Sequence, residues 1–71
     1  MAISGKYGHI DIPKIGDNEP VFILRANDQL AETVIEMYRL LAKSHGLAIA
    51  DGVAAEVEKF RNWSGPKKLP D

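Results

Sequence analysis

Two segments with helical spacing of apolar residues flank Gly46, and they constrain the fold of this chain more than any other feature. In the first segment, apolar residues recur at spacings of four, three and four: Leu30, Val34, Met37 and Leu41. Such a stripe is typical of one face of an amphipathic helix. We therefore predict a helix over residues 29–45, ended by Gly46 in a left-handed conformation.

The second segment predicts a helix that begins at Ile49 or Asp51 and ends at Trp63. Its apolar residues fall on one side: Ile49, Val53, Val57 and Phe60. Because only a short turn joins the two segments, the helices are expected to be antiparallel neighbours. Asn27 or Asp28 is expected to cap the first helix, since a short side-chain oxygen can accept from its free amides.

Two apolar stretches upstream of the helices predict β-strands. Residues from Tyr7 to Pro13 alternate between polar and apolar, which is typical of a half-buried strand. The continuous apolar run from Val21 to Leu24 favours a strand covered on both faces. We predict an α+β fold of order ββαα, in which a short β-hairpin packs on two antiparallel helices. This domain spans residues 1–66, and residues 67–71 form a flexible tail.

The chain is short for the apolar surface that it carries. It has 71 residues, of which 45% are hydrophobic, and no cysteine. A domain of this size buries only about 60% of the surface that its unfolded chain exposes. Small domains commonly gain stability from disulfides, a metal or a partner subunit. Because disulfides are excluded here, a protein partner, and self-association in particular, is the expected source.

The predicted core is the stripe of the first helix, packed against apolar residues of the strand and the second helix: Phe22, Leu24, Val53, Val57 and Phe60. The outer face of the strand and the flank of the first helix are then left for a partner. The interface residues predicted on this basis are Val21, Ile23, Ile35, Tyr38 and Leu40. The alternative is a self-sufficient monomer in which the loop and the N-terminal residues cover this surface.

A basic and aromatic C-terminal region supports a second hypothesis, an accessory protein that binds nucleic acid. Its residues are Arg61, Trp63, Lys67 and Lys68. Basic groups combined with an aromatic ring can bind single strands. However, the chain has 9 basic and 10 acidic side chains, whereas nucleic-acid binders normally have a basic excess. The other interpretation is that Trp63 closes the core and the lysines keep a tail soluble, so we rank this hypothesis second.

Candidate catalytic and metal-binding residues are sparse. His9 and Asp11 share one face of the first predicted strand, but a zinc site needs three or four ligands. Ser44 adjoins His45, yet neighbouring residues on a helix do not face each other. Arg25 and Asp28 are expected to form a local ion pair at the start of the first helix, and the alternative is that Arg25 contacts a partner. We therefore predict no enzyme activity, no cofactor and no metal.

The sequence also bears on cellular location. No apolar run approaches the roughly 20 residues that span a bilayer. The first residues lack the basic segment and apolar stretch of a signal peptide. We expect a cytoplasmic protein of a prokaryote or a phage, with no membrane partner.

The segment N-E-P-V-F-I-L-R-A-N-D at residues 18–28, with the amphipathic helix after it, resembles part of a group of small bacterial and prophage-borne proteins. The resemblance covers about half of the chain. The group is uncharacterised and has no assigned activity. The resemblance therefore implies a small protein of bacterial or phage origin and assigns no site residue.

Overall fold

The computed structural model describes residues 2–4, 8–10, 12–16 and 18–70, and it describes side chains in the last two of these ranges. Three short strands precede two helices: β1 (Ala2–Ser4), β2 (Gly8–Ile10), β3 (Glu19–Val21), α1 (Ala31–Ser44) and α2 (Ile49–Asn62). Each helix has 14 residues, whereas each strand has only 3. The regular structure is therefore mostly helical.

The two helices pack against each other, which confirms the predicted helical pair. Small side chains dominate the buried hydrophobic residues, which are Ala31, Ala42, Ala50 and Val57. Arg61 near the end of α2 reaches Glu32 at the start of α1, with Nε and Oε2 at 3.5 Å. The helices are therefore antiparallel, and alanines at their contact allow a close approach.

Local hydrogen bonds set the ends of α1. Gly46 has a φ of +69°, and the amide of Leu47 donates to the carbonyl of Ala42 at 3.0 Å. This pattern is a Schellman ending, which needs the left-handed residue that glycine supplies without strain. In the turn before α1, Oδ1 of Asp28 accepts from the amide of Leu30 at 2.8 Å. The N-cap of α1 is Leu30, without a side-chain cap hydrogen bond, so the prediction that Asn27 or Asp28 caps the helix is wrong.

The strand arrangement differs from the predicted β-hairpin. β1 lies in the middle, antiparallel to β2 and parallel to β3. Of the predicted strand Val21–Leu24, only Val21 lies in a strand, and Phe22 is 86% exposed. In the described ranges no strand packs on a helix, and this apolar run is half-buried at Val21 and Leu24 and exposed at Phe22 and Ile23. Tyr7 and Asp11, from the first predicted strand, lie outside the described residues.

The side of α1 that faces α2 also differs from the prediction. The predicted core stripe is 46% to 64% exposed, and it comprises Leu30, Val34, Met37 and Leu41. Ala31 and Ala42 are buried instead, and Ile35 on the same helical face is half-buried. The alanines face α2 because their small side chains let the two helices approach more closely than the larger stripe residues would. The prediction that this stripe forms the intramolecular core is wrong.

The rest of the predicted core is divided between buried and exposed positions. Val57 is buried, as predicted. Val53, Phe60 and Leu24 are half-buried, and Phe22 is exposed. The chain therefore has a small core, concentrated between the two helices.

The C-terminal segment is hydrogen-bonded to the residues before α1. The amide of Lys68 donates to the carbonyl of Asn27 at 2.8 Å, and the amide of Gln29 donates to the carbonyl of Lys68 at 2.9 Å. Lys68 and Asp28 thereby form a parallel β-bridge. The predicted tail, residues 67–71, is thus held at Lys68 beside the start of α1.

Candidate functional site

The largest candidate site is the outward face of α1, called here the α1 stripe and formed by Leu30, Val34, Met37 and Leu41. At 3.6 residues per turn, these side chains fall within an arc of about 60°. The buried residues Ala31 and Ala42 lie about 100° away from the centre of this arc. The α1 stripe therefore lies to one side of the contact with α2, and it contains no charged residue.

Two of the predicted interface residues border the α1 stripe. Tyr38 lies on the side nearer α2 and Leu40 on the other side, and both are exposed. Ile35 lies on the inward face and is only half-buried, so less of it is available to a partner. In the N-terminal segment, Val21 is half-buried and Ile23 is partly exposed.

The apolar surface continues through the turn onto α2. Leu47 and Ile49 are exposed, and Val53 and Phe60 follow on the same side of α2. Because both helices are right-handed and run in opposite directions, this side of α2 and the α1 stripe lie on the same side of the helical pair. One apolar face therefore spans both helices.

Charge on α1 lies on another side of the helix. Nε of Arg39 donates to both carboxylate oxygens of Glu36 at 3.0 Å. This hydrogen bond lowers the pKa of Glu36 below its ordinary value and raises the pKa of Arg39. The two half-buried groups pair with each other, and the α1 stripe remains wholly apolar.

The exposed area of the chain is large for its mass. The chain exposes 5536 Å², whereas a compact monomer of 7.8 kDa would expose about 4,400 Å². The excess of about 1,100 Å² exceeds the roughly 800 Å² that each partner buries in an interface of standard size. The radius of gyration is 13.7 Å, against about 11 Å for a compact chain of this length. The chain therefore exposes more surface and is less compact than a typical monomer of its size.

A second candidate site is a groove of about 360 Å³ beside the end of α2. Two segments line it, and their residues are Arg25, Asn27, Trp63, Pro66, Lys67 and Lys68. The backbone hydrogen bond from Lys68 to Asn27 joins the two walls. We call this surface the basic groove.

The basic groove contains three of the four residues predicted for nucleic-acid binding, namely Trp63, Lys67 and Lys68. Arg61 does not line it. The guanidinium of Arg61 instead bonds Glu58 at 2.6 Å and lies 3.5 Å from Glu32. Arg61 therefore connects the two helices, and its charge is largely balanced there.

Sequence reasoning missed Arg25 as a groove residue and placed it in an ion pair with Asp28. In the part of the chain that the structure describes, no such ion pair forms. Asp28 instead accepts from the amide of Leu30. Only the pairing of Lys68 with the residues before α1 brings Arg25 to the basic groove, and no local pattern indicates that pairing.

The aromatic residue of the basic groove is held in place but remains accessible. The ring of Trp63 packs on Gly65, where an added Cβ would overlap it. Trp63 is 42% exposed, so it does not close the core. Nζ of Lys67 donates to the carbonyl of Phe60 at 3.0 Å, which places this lysine at the end of α2.

Comparison with known proteins assigns no family to either surface. No protein-family model, curated protein or solved structure matches this chain. Within the described ranges, neither helix has the length and apolar character needed to cross a bilayer. Function therefore has to be argued from the two surfaces themselves.

The remaining candidates for chemistry do not come together. Among the described residues, no three acidic or histidine side chains lie close enough to hold a metal. The side chain of His9, together with Asp11, lies outside what the structure describes. The hydroxyl of Ser44 donates to the carbonyl of Leu41 at 2.7 Å, so it bonds its own helix rather than His45.

Proposed function

We propose that this protein is a self-associating interaction module, in which the α1 stripe of one copy packs against the α1 stripe of a second copy. The observation that carries the proposal is the 46% to 64% exposure of all four stripe residues in the single chain. Covering each half-exposed side chain would add about 1 kcal/mol of stabilisation. That gain is large for a small domain, whose stability is only about 0.05–0.15 kcal/mol per residue.

The spacing of the α1 stripe fits a helix of the same kind. Residues at intervals of four, three and four occupy the alternating d and a positions of a heptad, which pack as knobs into holes. Tyr38 and Leu40 occupy the flanking e and g positions, where charged residues would select an oppositely charged partner. Because both flanks are apolar, the face is complementary to a copy of itself, as a twofold interface requires.

The second helix supports the same arrangement. Two helical pairs joined through their α1 stripes would form a four-helix bundle, with Leu47 and Ile49 near the rim of the contact. The bundle would cover the apolar face that spans α1 and α2. The cytoplasmic location, the bacterial or phage origin and the lack of enzyme activity remain predictions from the sequence.

The test is the molar mass in solution, measured by light scattering over a concentration series. We expect the mass to rise from one chain to two as the concentration increases. Met37→Glu and Val34→Glu each place a carboxylate in the proposed contact, where its burial without a partner is costly. Both variants should stay monomeric at concentrations at which the unmodified protein is dimeric.

Ala55→Glu is the matched control, because Ala55 is an exposed α2 residue on the side opposite α1. It adds the same charge to a helix without touching the α1 stripe, so the dimer should persist. Circular dichroism checks that all variants keep their helix content. A wild-type protein that stays monomeric throughout, or a control that dissociates as readily as Met37→Glu, would show the proposal to be wrong.

A further inference from the structure

We propose that the basic groove binds single-stranded nucleic acid, with backbone phosphates on Arg25 and Lys68 and a base stacked on Trp63. This surface shares no residue with the α1 stripe, so the inference goes beyond self-association. It rests on the charge of the groove, on the position of its aromatic ring and on its size.

The charge of the groove favours an anion. Among the described residues that line it, three have cationic side chains and none has a carboxylate. In the described part of the chain, the guanidinium of Arg25 makes no ion pair or hydrogen bond. The carboxylate next in the sequence, Asp28, does not line the groove, and its Oδ1 accepts from the amide of Leu30. In a chain whose net charge is −1, this groove is a local concentration of positive charge.

The aromatic ring distinguishes a nucleotide from a simple anion. Gly65 packs against the ring of Trp63 and holds its position, while 42% of the residue remains exposed. Stacking on such a ring accepts any base, because every base has a π face. A phosphate ion or a carboxylate would bind the cationic side chains, but it would not stack on the indole ring.

The size of the groove favours a single strand. Its volume of about 360 Å³ lies at the lower end of the range of about 300–1,000 Å³ typical of small-molecule sites. One nucleotide fits, and adjacent nucleotides can leave along the open groove, whereas a duplex cannot enter. Lys67, although bonded to the carbonyl of Phe60, keeps two of its three N–H donors for a phosphate.

The first measurement uses the only tryptophan of the chain as its own reporter. A short oligothymidylate is titrated into the protein at low salt, and the fluorescence of Trp63 is followed. We expect saturable quenching. The logarithm of the association constant should fall with the logarithm of the salt concentration with a slope of about −1.4 to −2.1, as expected for two or three phosphate contacts on a single strand.

The second measurement uses variants and the anisotropy of a fluorescein-labelled oligothymidylate. Arg25→Ala and Lys68→Ala should each weaken binding and reduce the salt slope by about 0.7. Trp63→Leu should weaken binding by about fivefold or more through the loss of base stacking. Lys59→Ala is the matched control, since this exposed α2 lysine pairs with Glu56 outside the groove, and it should bind like the unmodified protein.

Three results would overturn the proposal. The first is the absence of quenching at low salt. The second is displacement of the oligonucleotide by polyglutamate or inorganic phosphate at equal charge concentration, which would indicate a site for acidic peptides or simple anions. The third is an equal loss of affinity in Lys59→Ala and Arg25→Ala, which would indicate diffuse attraction rather than a site in the groove.

Discussion

Two glycines of the helical pair show how backbone conformation determines whether replacing glycine by alanine stabilises or destabilises the protein. Gly46 lies in the left-handed region with a φ of +69° and ends α1, whereas Gly52 lies inside α2. At either position an added Cβ would meet no other atom within 4 Å. Any difference between substitutions at these two sites therefore reports backbone preference and not packing.

We expect Gly46→Ala to lower the free energy of unfolding by about 1–2 kcal/mol, because a side chain strains the left-handed conformation. Gly52→Ala should raise it by about 0.5–1 kcal/mol, because alanine favours the helix interior. Urea unfolding followed by circular dichroism measures both variants at one protein concentration. A change of the same sign in the two variants would contradict this account.

At the scale of the element, α1 is a helix with two apolar sides of different character. One side carries the buried alanines that contact α2, and the other carries the larger residues of the α1 stripe. The ion pair of Glu36 and Arg39 lies away from the α1 stripe, is half-buried and stabilises the helix. The contact with α2, the proposed contact with a second copy and the ion pair thus occupy different parts of the circumference of α1.

The same ion pair predicts a pH dependence of helix stability. Arg39 lowers the pKa of Glu36 in the folded state, so the stabilisation is fully present above the ordinary value of 4.5. It is lost as the pH falls through the lowered folded-state pKa. The difference in unfolding free energy between the unmodified protein and Glu36→Gln should therefore be largest near neutral pH and vanish in acid. Denaturant unfolding at several pH values measures it, and a difference that grows in acid would refute the assignment.

At the scale of the whole molecule, the chain buries too little surface to resemble a compact monomer. The buried hydrophobic residues in the described part of the chain are three alanines and one valine. Among the described residues, no large side chain is fully buried. Association through the α1 stripe would supply the missing burial, so folding and self-association should be coupled.

Coupling between folding and self-association predicts that the midpoint temperature of thermal unfolding depends on protein concentration. The midpoint should rise with concentration, because mass action favours the folded dimer over unfolded chains. Met37→Glu should have a lower midpoint that does not vary with concentration. Thermal scans by circular dichroism over a wide concentration range provide the measurement, and a constant midpoint in the unmodified protein would contradict the coupling.

Local features of the sequence were sufficient to predict the helices. The predicted range 29–45 and the observed helix Ala31–Ser44 differ by no more than two residues at either end. The ending at Gly46 was also predicted. The second helix, expected from Ile49 or Asp51 to Trp63, is observed at Ile49–Asn62. These features depend on side-chain periodicity, capping and backbone freedom, which act within a few residues of each other.

The side of α1 that faces α2 and the residues that line the basic groove depend on long-range packing. An apolar stripe has the same spacing whether its own chain or a partner covers it, so Val34 and Met37 were assigned to the core although they are exposed. Arg25 meets Lys67 and Lys68 through backbone pairing between residues about 40 positions apart, which leaves no periodic pattern. Helix positions and helix ends follow from interactions between residues close in sequence. Which apolar face becomes buried depends instead on how closely the two helices can approach each other.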